Sequence, residues 1–131
     1  MLSHSIDSLT LKNLNIPIVA IEREDEFISS INSDNYSGSV KATNLLIDNN
    51  CDILIHINSH VDKNIPAYKR IEGFKETCKK NNKNYEIYFS DLGSSFEESY
   101  DSLHKIYTDI EKKYTGQKKG IFLSNDTYAN I

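Results

Sequence analysis

The chain has 131 residues, room for one ordinary domain with a real core, and 38% of them are hydrophobic. Lys and Arg number 15 against 19 Asp and Glu, and the net charge of −4 without a basic cluster argues against a nucleic-acid surface here. No window is long and apolar enough to cross a bilayer, and Met1-Leu2-Ser3-His4 is no signal peptide; Cys51 and Cys78 fit small buried hydrophobes, so a soluble cytoplasmic protein with no membrane partner is expected.

In chain order, Ser5-Ile6-Asp7 can cap a short helix carrying Ile6, Leu9 and Leu14. Ile16-Pro17-Ile18-Val19-Ala20-Ile21 reads as the first strand, with Pro17 near its start, where a missing donor does least harm. It runs out into Glu22-Arg23-Glu24-Asp25-Glu26, a solvated acidic loop whose first residue falls at the strand's carboxyl end. Phe27 to Ile31 is a second, short extended piece. Asp34 or Asn35 fits a helix cap, and Val40 to Asn49 follows as a helix with Val40, Ala42, Leu45, Leu46 and Ile47 as its apolar residues.

Ile53-Leu54-Ile55-His56-Ile57 is a nearly unbroken apolar run, as expected of a strand buried on both faces of a parallel sheet. After a polar loop, Pro66 stands at a first helical position, and Ala67, Ile71, Phe74 and Cys78 make one apolar stripe ending near Lys80. Tyr85 to Phe89 reads as another buried strand. Ser94 with Glu97 and Ser95 with Glu98 both fit a capping box. Phe96, Tyr100, Leu103, Tyr107, Ile110 and Tyr114 then form a long stripe that reads as core packing, and Gly116 stops it. Gly120 to Ser124 is a final strand, and Asn125-Asp126 caps a helix barely begun at Ile131, the pattern expected of a fragment. Strands and helices alternate, which calls for a parallel sheet with right-handed crossovers.

Catalytic signatures are absent: there is no Gly-rich phosphate loop, no G-x-S-x-G elbow and no metal-binding cysteine pair. His56, His60 and Asp62 are close in sequence, but a strand and a loop do not put them on one face. The chain is therefore read as a non-enzyme without cofactor or metal. What stands out is position. The strands end in Glu22-Arg23, Asn58-Ser59, Ser90-Asp91 and Ser124-Asn125-Asp126, and parallel pairing would collect these on one edge, where open α/β sheets bind ligands. Arg70, one turn into its helix, could reach back over that edge. Carboxylates, amides and a guanidinium suit a polyhydroxylated ligand, although polar strand ends also serve caps and turns in any such sheet.

Five segments in order resemble the lactose-repressor (LacI/GalR) family of transcription regulators. Ile16-Pro17-Ile18-Val19-Ala20-Ile21-Glu22-Arg23 is similar to its IPVV-x-I-D-R segment, and Asn32-Ser33-Asp34-Asn35-Tyr36-Ser37-Gly38 to V-x-x-D-N-Y-x-G. Ala42-Thr43-Asn44-Leu45-Leu46 resembles A-T-x-x-L, Arg70-Ile71-Glu72-Gly73-Phe74 resembles R-L-x-G-F, and Ser124-Asn125-Asp126 resembles S-N-D. The resemblance implies an α/β three-layer sandwich of the periplasmic-binding-protein-like type I, truncated, in which two lobes hold a small effector, a sugar or sugar phosphate, between them. Residues 1–31 would end the N-terminal lobe and residues 32–131 would make most of the C-terminal lobe. Operator DNA would be bound only by a missing N-terminal helix-turn-helix, in a homodimer. Carried over by motif, Arg70 matches an arginine holding effector hydroxyls, Asn64 a polar contact in the preceding loop, and Asn125 an amide contacting ligand, with Asp126 its neighbour. Glu22 replaces an aspartate and can serve ligand contact or an interlobe salt bridge. Ser94 stands where several members have a stacking aromatic, and Asn58 replaces a usual glycine. Arg70 as a surface charge and Asn125 as a mere helix cap remain open alternatives. Ile55 to Asn58 with Pro66-Ala67 looks most like sucrose-operon repressors; a transport-type sugar-binding protein of the same fold is the first rival reading and a flavodoxin-like enzyme domain the second.

Overall fold

The computed structural model describes residues 8–63, 65–90 and 95–130. It holds five helices and five strands among these residues: α1 (Ser8–Lys12), β1 (Val19–Ile21), β2 (Ser29–Ile31), α2 (Asn35–Asp48), β3 (Ile53–Asn58), α3 (Tyr68–Lys80), β4 (Tyr85–Phe89), α4 (Phe96–Lys113), β5 (Lys119–Leu123) and α5 (Asp126–Ala129). The expected cap at Ser5 to Asp7 lies outside the described residues.

The alternation resolves into two parallel sheets. β1 pairs with β2, and β3 runs between β4 and β5 in the order β4-β3-β5. All six residues of β3 are buried, which is why its sequence is apolar throughout rather than alternating. Its odd residues Ile53, Ile55 and Ile57 pack with Leu103 and Ile110 of α4 and Tyr128 of α5. On the opposite face Leu54 packs with Phe74 and Cys78 of α3 and with Leu46 and Ile47 of α2. The three-stranded sheet is thus the middle layer of three.

Five expectations are corrected by the structure. α2 begins at Asn35, not Val40, because Asp34 caps it by accepting from the Ser37 N–H at 3.0 Å. Its buried stripe is Asn35, Ser39 and Thr43, whereas Leu45 is 63% exposed. Small polar residues let α2 approach α3 closely, and their hydroxyls are satisfied locally: Ser39 Oγ donates to the Arg70 carbonyl at 2.6 Å and Thr43 Oγ1 to the Ser39 carbonyl at 2.8 Å. Pro66 lies two residues ahead of α3, in a run where Tyr68, Lys69 and Arg70 N–H groups bond three residues back. β4 is an edge strand and only half-buried. Finally, Phe96 and Tyr100 at the start of α4 are exposed, so the stripe enters the core only from Leu103 onward.

Helix ends explain the paired asparagines. Asn50 and Asn82 follow the caps of α2 and α3 with φ of 55° and 51°, and Gly116 follows α4 with φ of 77°. Asparagine and glycine tolerate this left-handed region better than other residues.

The α2–α3 contact yields a test. A Cβ on Gly73 would lie 2.7 Å from the Tyr36 carbonyl oxygen and 3.0 Å from Ser39 Cβ, whereas one on Gly38 meets nothing within 4 Å. Gly73→Ala is expected to destabilise by about 1–3 kcal/mol in urea denaturation. Gly38→Ala, in an exposed helical turn, should instead stabilise by about 0.5–1 kcal/mol.

Candidate ligand-binding site

The carboxyl ends of β3, β4 and β5 lie side by side, with the Ser90 N–H bonded to the Asn58 carbonyl at 2.8 Å and the Ser124 N–H to the Ile57 carbonyl at 3.0 Å. Arg70, the third residue of α3, reaches across this edge. Its Nε donates to Asn35 Oδ1 at 2.7 Å, and its Nη1 donates to the Ser124 carbonyl. The guanidinium therefore bridges α2 and the end of β5, and it lines an open cleft of about 270 Å³ with Ser33, Asp34, Asn35, Phe122 and Ser124.

β1 delivers Glu22 to the same place. Glu22 has φ of 53°, a backbone region unfavourable for a residue with a Cβ, and its N–H bonds to the Ile31 carbonyl at 3.0 Å. Its Oε1 accepts from the Ser33 N–H at 2.5 Å and from the Ser33 hydroxyl, while Oε2 accepts from Asn35 Nδ2 at 3.4 Å. These bonds, the Ser33 hydroxyl foremost, hold the carboxyl below the ordinary carboxylate range, and the Arg70 charge adds to the effect.

Asn125 caps α5, accepting from the Tyr128 N–H at 3.2 Å, and Asp126 opens the helix; both are exposed, one and two residues beyond Ser124. α5 itself is anchored by Tyr128, buried to 1% exposure with its hydroxyl donating to the Ser90 carbonyl. Of the six predicted site residues, Arg70 lines the cleft and Glu22 is bonded into its wall, while Asn125 and Asp126 stand on the adjoining rim. Asn64 and Ser94 lie outside the described residues.

Ser33 and Asn35 were not singled out from sequence as site residues, because an asparagine at a helix start reads first as a cap. Phe89 ends β4 at 44% exposure, with the His60 ring stacked on it at 5.0 Å. Among the described residues no group of three His, Cys, Asp or Glu is placed to hold a metal.

Two buried polar groups lie close behind the edge. His56 is fully buried, stacked on Phe122 at 4.5 Å, with Nδ1 2.9 Å from the Phe122 carbonyl and Nε2 3.3 Å from Asn58 Nδ2. A carbonyl partner requires Nδ1 to carry the proton, leaving Nε2 to accept from the amide. Burial lowers the imidazole pKa to about 4. Ser124 Oγ is buried without a hydrogen-bond partner among the described residues.

No protein-family model and no curated protein matches the sequence. Solved structures do match. A probable maltose operon transcriptional repressor from Staphylococcus aureus superposes with a TM-score of 0.74 at 18% identity, over 92% of this chain and 43% of that one. A LacI family transcriptional regulator from Enterococcus faecalis, solved with bound ribose, gives 0.68 at 19% identity over 98% and 44%. The fold is that of LacI-type regulators and periplasmic sugar-binding proteins. The second group is represented by an ABC sugar transporter's periplasmic sugar-binding protein from Legionella pneumophila, with a TM-score of 0.68 and 18% identity over 93% and 45%. The chain spans less than half the length of each of these proteins.

Two outcomes test the edge. The unfolded chain binds a proton at histidine near pH 6.5 and the folded chain only near pH 4, so stability is expected to fall as pH drops through that window. The loss is on the order of 3 kcal/mol at its full extent and is read by urea denaturation at stepped pH. It should vanish in His56→Gln if that variant folds; the His56 ring signals, followed by NMR, should not titrate above about pH 5. Ser124→Ala removes a hydroxyl that has no partner, so it should be neutral or stabilise by about 1 kcal/mol.

Proposed function

We propose that this chain is part of the effector-binding domain of a LacI-type transcription regulator, taking a sugar or sugar phosphate at the Arg70 edge. The observation that carries the reading is Arg70 itself, held over the carboxyl edge of a parallel sheet beside a polar cleft to which the end of β1 also contributes. A guanidinium donates up to five hydrogen bonds in fixed directions and suits ligand hydroxyls or a phosphate. Asn125 and Asp126 on the rim, with Glu22 after β1 and with Asn64 and Ser94, are the further ligand groups proposed.

In this reading residues 1–31 end one lobe and residues 32–131 form most of the other. Effector bound between the lobes favours one lobe arrangement and so shifts DNA-binding heads elsewhere in a cytoplasmic homodimer, a coupling of about 1–3 kcal/mol in typical cases. No covalent chemistry is involved. No helix among the described residues is long and apolar enough to cross a membrane. The sugar-transport neighbour supports a second reading, a secreted binding protein of the same fold. Cell fractionation separates the two: a regulator stays with the cytoplasm and nucleoid, a transport protein does not.

The test is a thermal-shift screen of sugars and sugar phosphates, D-ribose and sucrose included, against the two-lobed full-length protein. One ligand is expected to raise Tm, and Arg70→Ala to weaken its binding about 10- to 150-fold, the worth of hydrogen bonds from a charged donor. Stabilisation that survives Arg70→Ala unchanged would remove Arg70 from the site.

A further inference from the structure

The side-chain amide of Asn35 faces two ways. Its Nδ2 donates to the Ser33 carbonyl at 3.2 Å and to Glu22 Oε2 at 3.4 Å, while its Oδ1 accepts from Arg70 Nε at 2.7 Å. Turning the amide over would set a donor against the Arg70 N–H and an acceptor against two oxygens, so its partners fix one orientation. The residue is 6% exposed, which leaves water little part in replacing these bonds.

Behind Asn35 stands Glu22. It follows β1 directly and occupies a strained backbone conformation, with a carboxylate that binds Ser33 as well as Asn35. Such strain persists only where the surroundings over-determine it, and it concentrates at functional sites. Ser33 belongs to the segment joining β2 to α2, and Asn35 opens α2. One carboxylate therefore ties the end of β1 to the junction from which Asn35 reaches Arg70.

We propose that Asn35 is the positioning residue for Arg70, and that Glu22 acts through it. An arginine at a helix start samples many rotamers unless it is held. Here the bonds at Nε and Nη1 fix the guanidinium plane, and with it the direction of Nη2, which takes part in neither. The direction of that edge is set by the junction between the two sheets, so a shift of β1 and β2 relative to β3 turns Arg70 as well. The proposal rests on Arg70 being the ligand-holding group, but it concerns the orientation of the side chain and not the identity of the guest.

The test needs no ligand. In the ¹⁵N-labelled 131-residue chain, the Arg70 Nε–H signal is identified by its loss in Arg70→Lys, and its hydrogen-exchange rate is measured. Slow exchange is expected in the native chain, with exchange about tenfold faster in Asn35→Ala as the charged hydrogen bond is lost. Glu22→Gln should speed exchange at Arg70 even though Glu22 does not touch it. Glu22 is exposed, so this variant decides the matter if Asn35→Ala fails to fold. An Arg70 exchange rate unchanged by Glu22→Gln, or by Asn35→Ala in a folded chain, overturns the proposal. A failed sugar screen with these exchange effects intact would instead reject the ligand reading alone.

Discussion

The structure turns on a cation held at the carboxyl edge of a parallel sheet by neutral acceptors. Arg70 donates to an asparagine oxygen and to the Ser124 carbonyl, so among the described residues its charge is oriented by neutral acceptors and not by a direct carboxylate partner. Glu22 lies one residue further away and adds its field without a salt bridge. A guanidinium paired with a carboxylate would already have its best partner. One paired with amide and carbonyl oxygens keeps both its geometry and most of its appetite for a polar guest.

That arrangement depends on β3. Its six buried residues carry two cores at once: aliphatic side chains toward α4 and α5, and Leu54 and His56 toward the α2–α3 pair. The position of α3, and with it Arg70, is then fixed by Phe74 and Cys78 against the sheet and by Gly73 against α2. His56 fits this apolar layer only as the neutral imidazole, one nitrogen donating to a carbonyl and the other accepting from Asn58.

Much of this was legible in the residues. The apolar run at Ile53 to Ile57, the strand Tyr85 to Phe89 and the caps at Asp34, Ser95 and Asn125 rest on short-range chemistry, and each stands where expected. Arg70 was placed on the right edge because parallel pairing leaves few other places for it. What the residues hid was long-range. Asn35, Ser39 and Thr43 look like a solvated helix face until they are found buried, with Gly73 of α3 against Ser39. Leu45, Phe96 and Tyr100 look like core until the layers leave them exposed. The left-handed backbone at Glu22 has no sequence signature, since glutamate is an unusual occupant of that region.

The two faces of the central sheet are also built from different materials. Toward α4 the contacts are between branched aliphatics and rings, which can trade volume with their neighbours through small repacking moves. Toward α2 the helices nearly touch backbone to side chain, across a glycine and two hydroxyls. Sequence drift should consequently run at unequal speed through this molecule. One layer can wander through many hydrophobic solutions, while the other, which carries the arginine, has almost no alternative spelling.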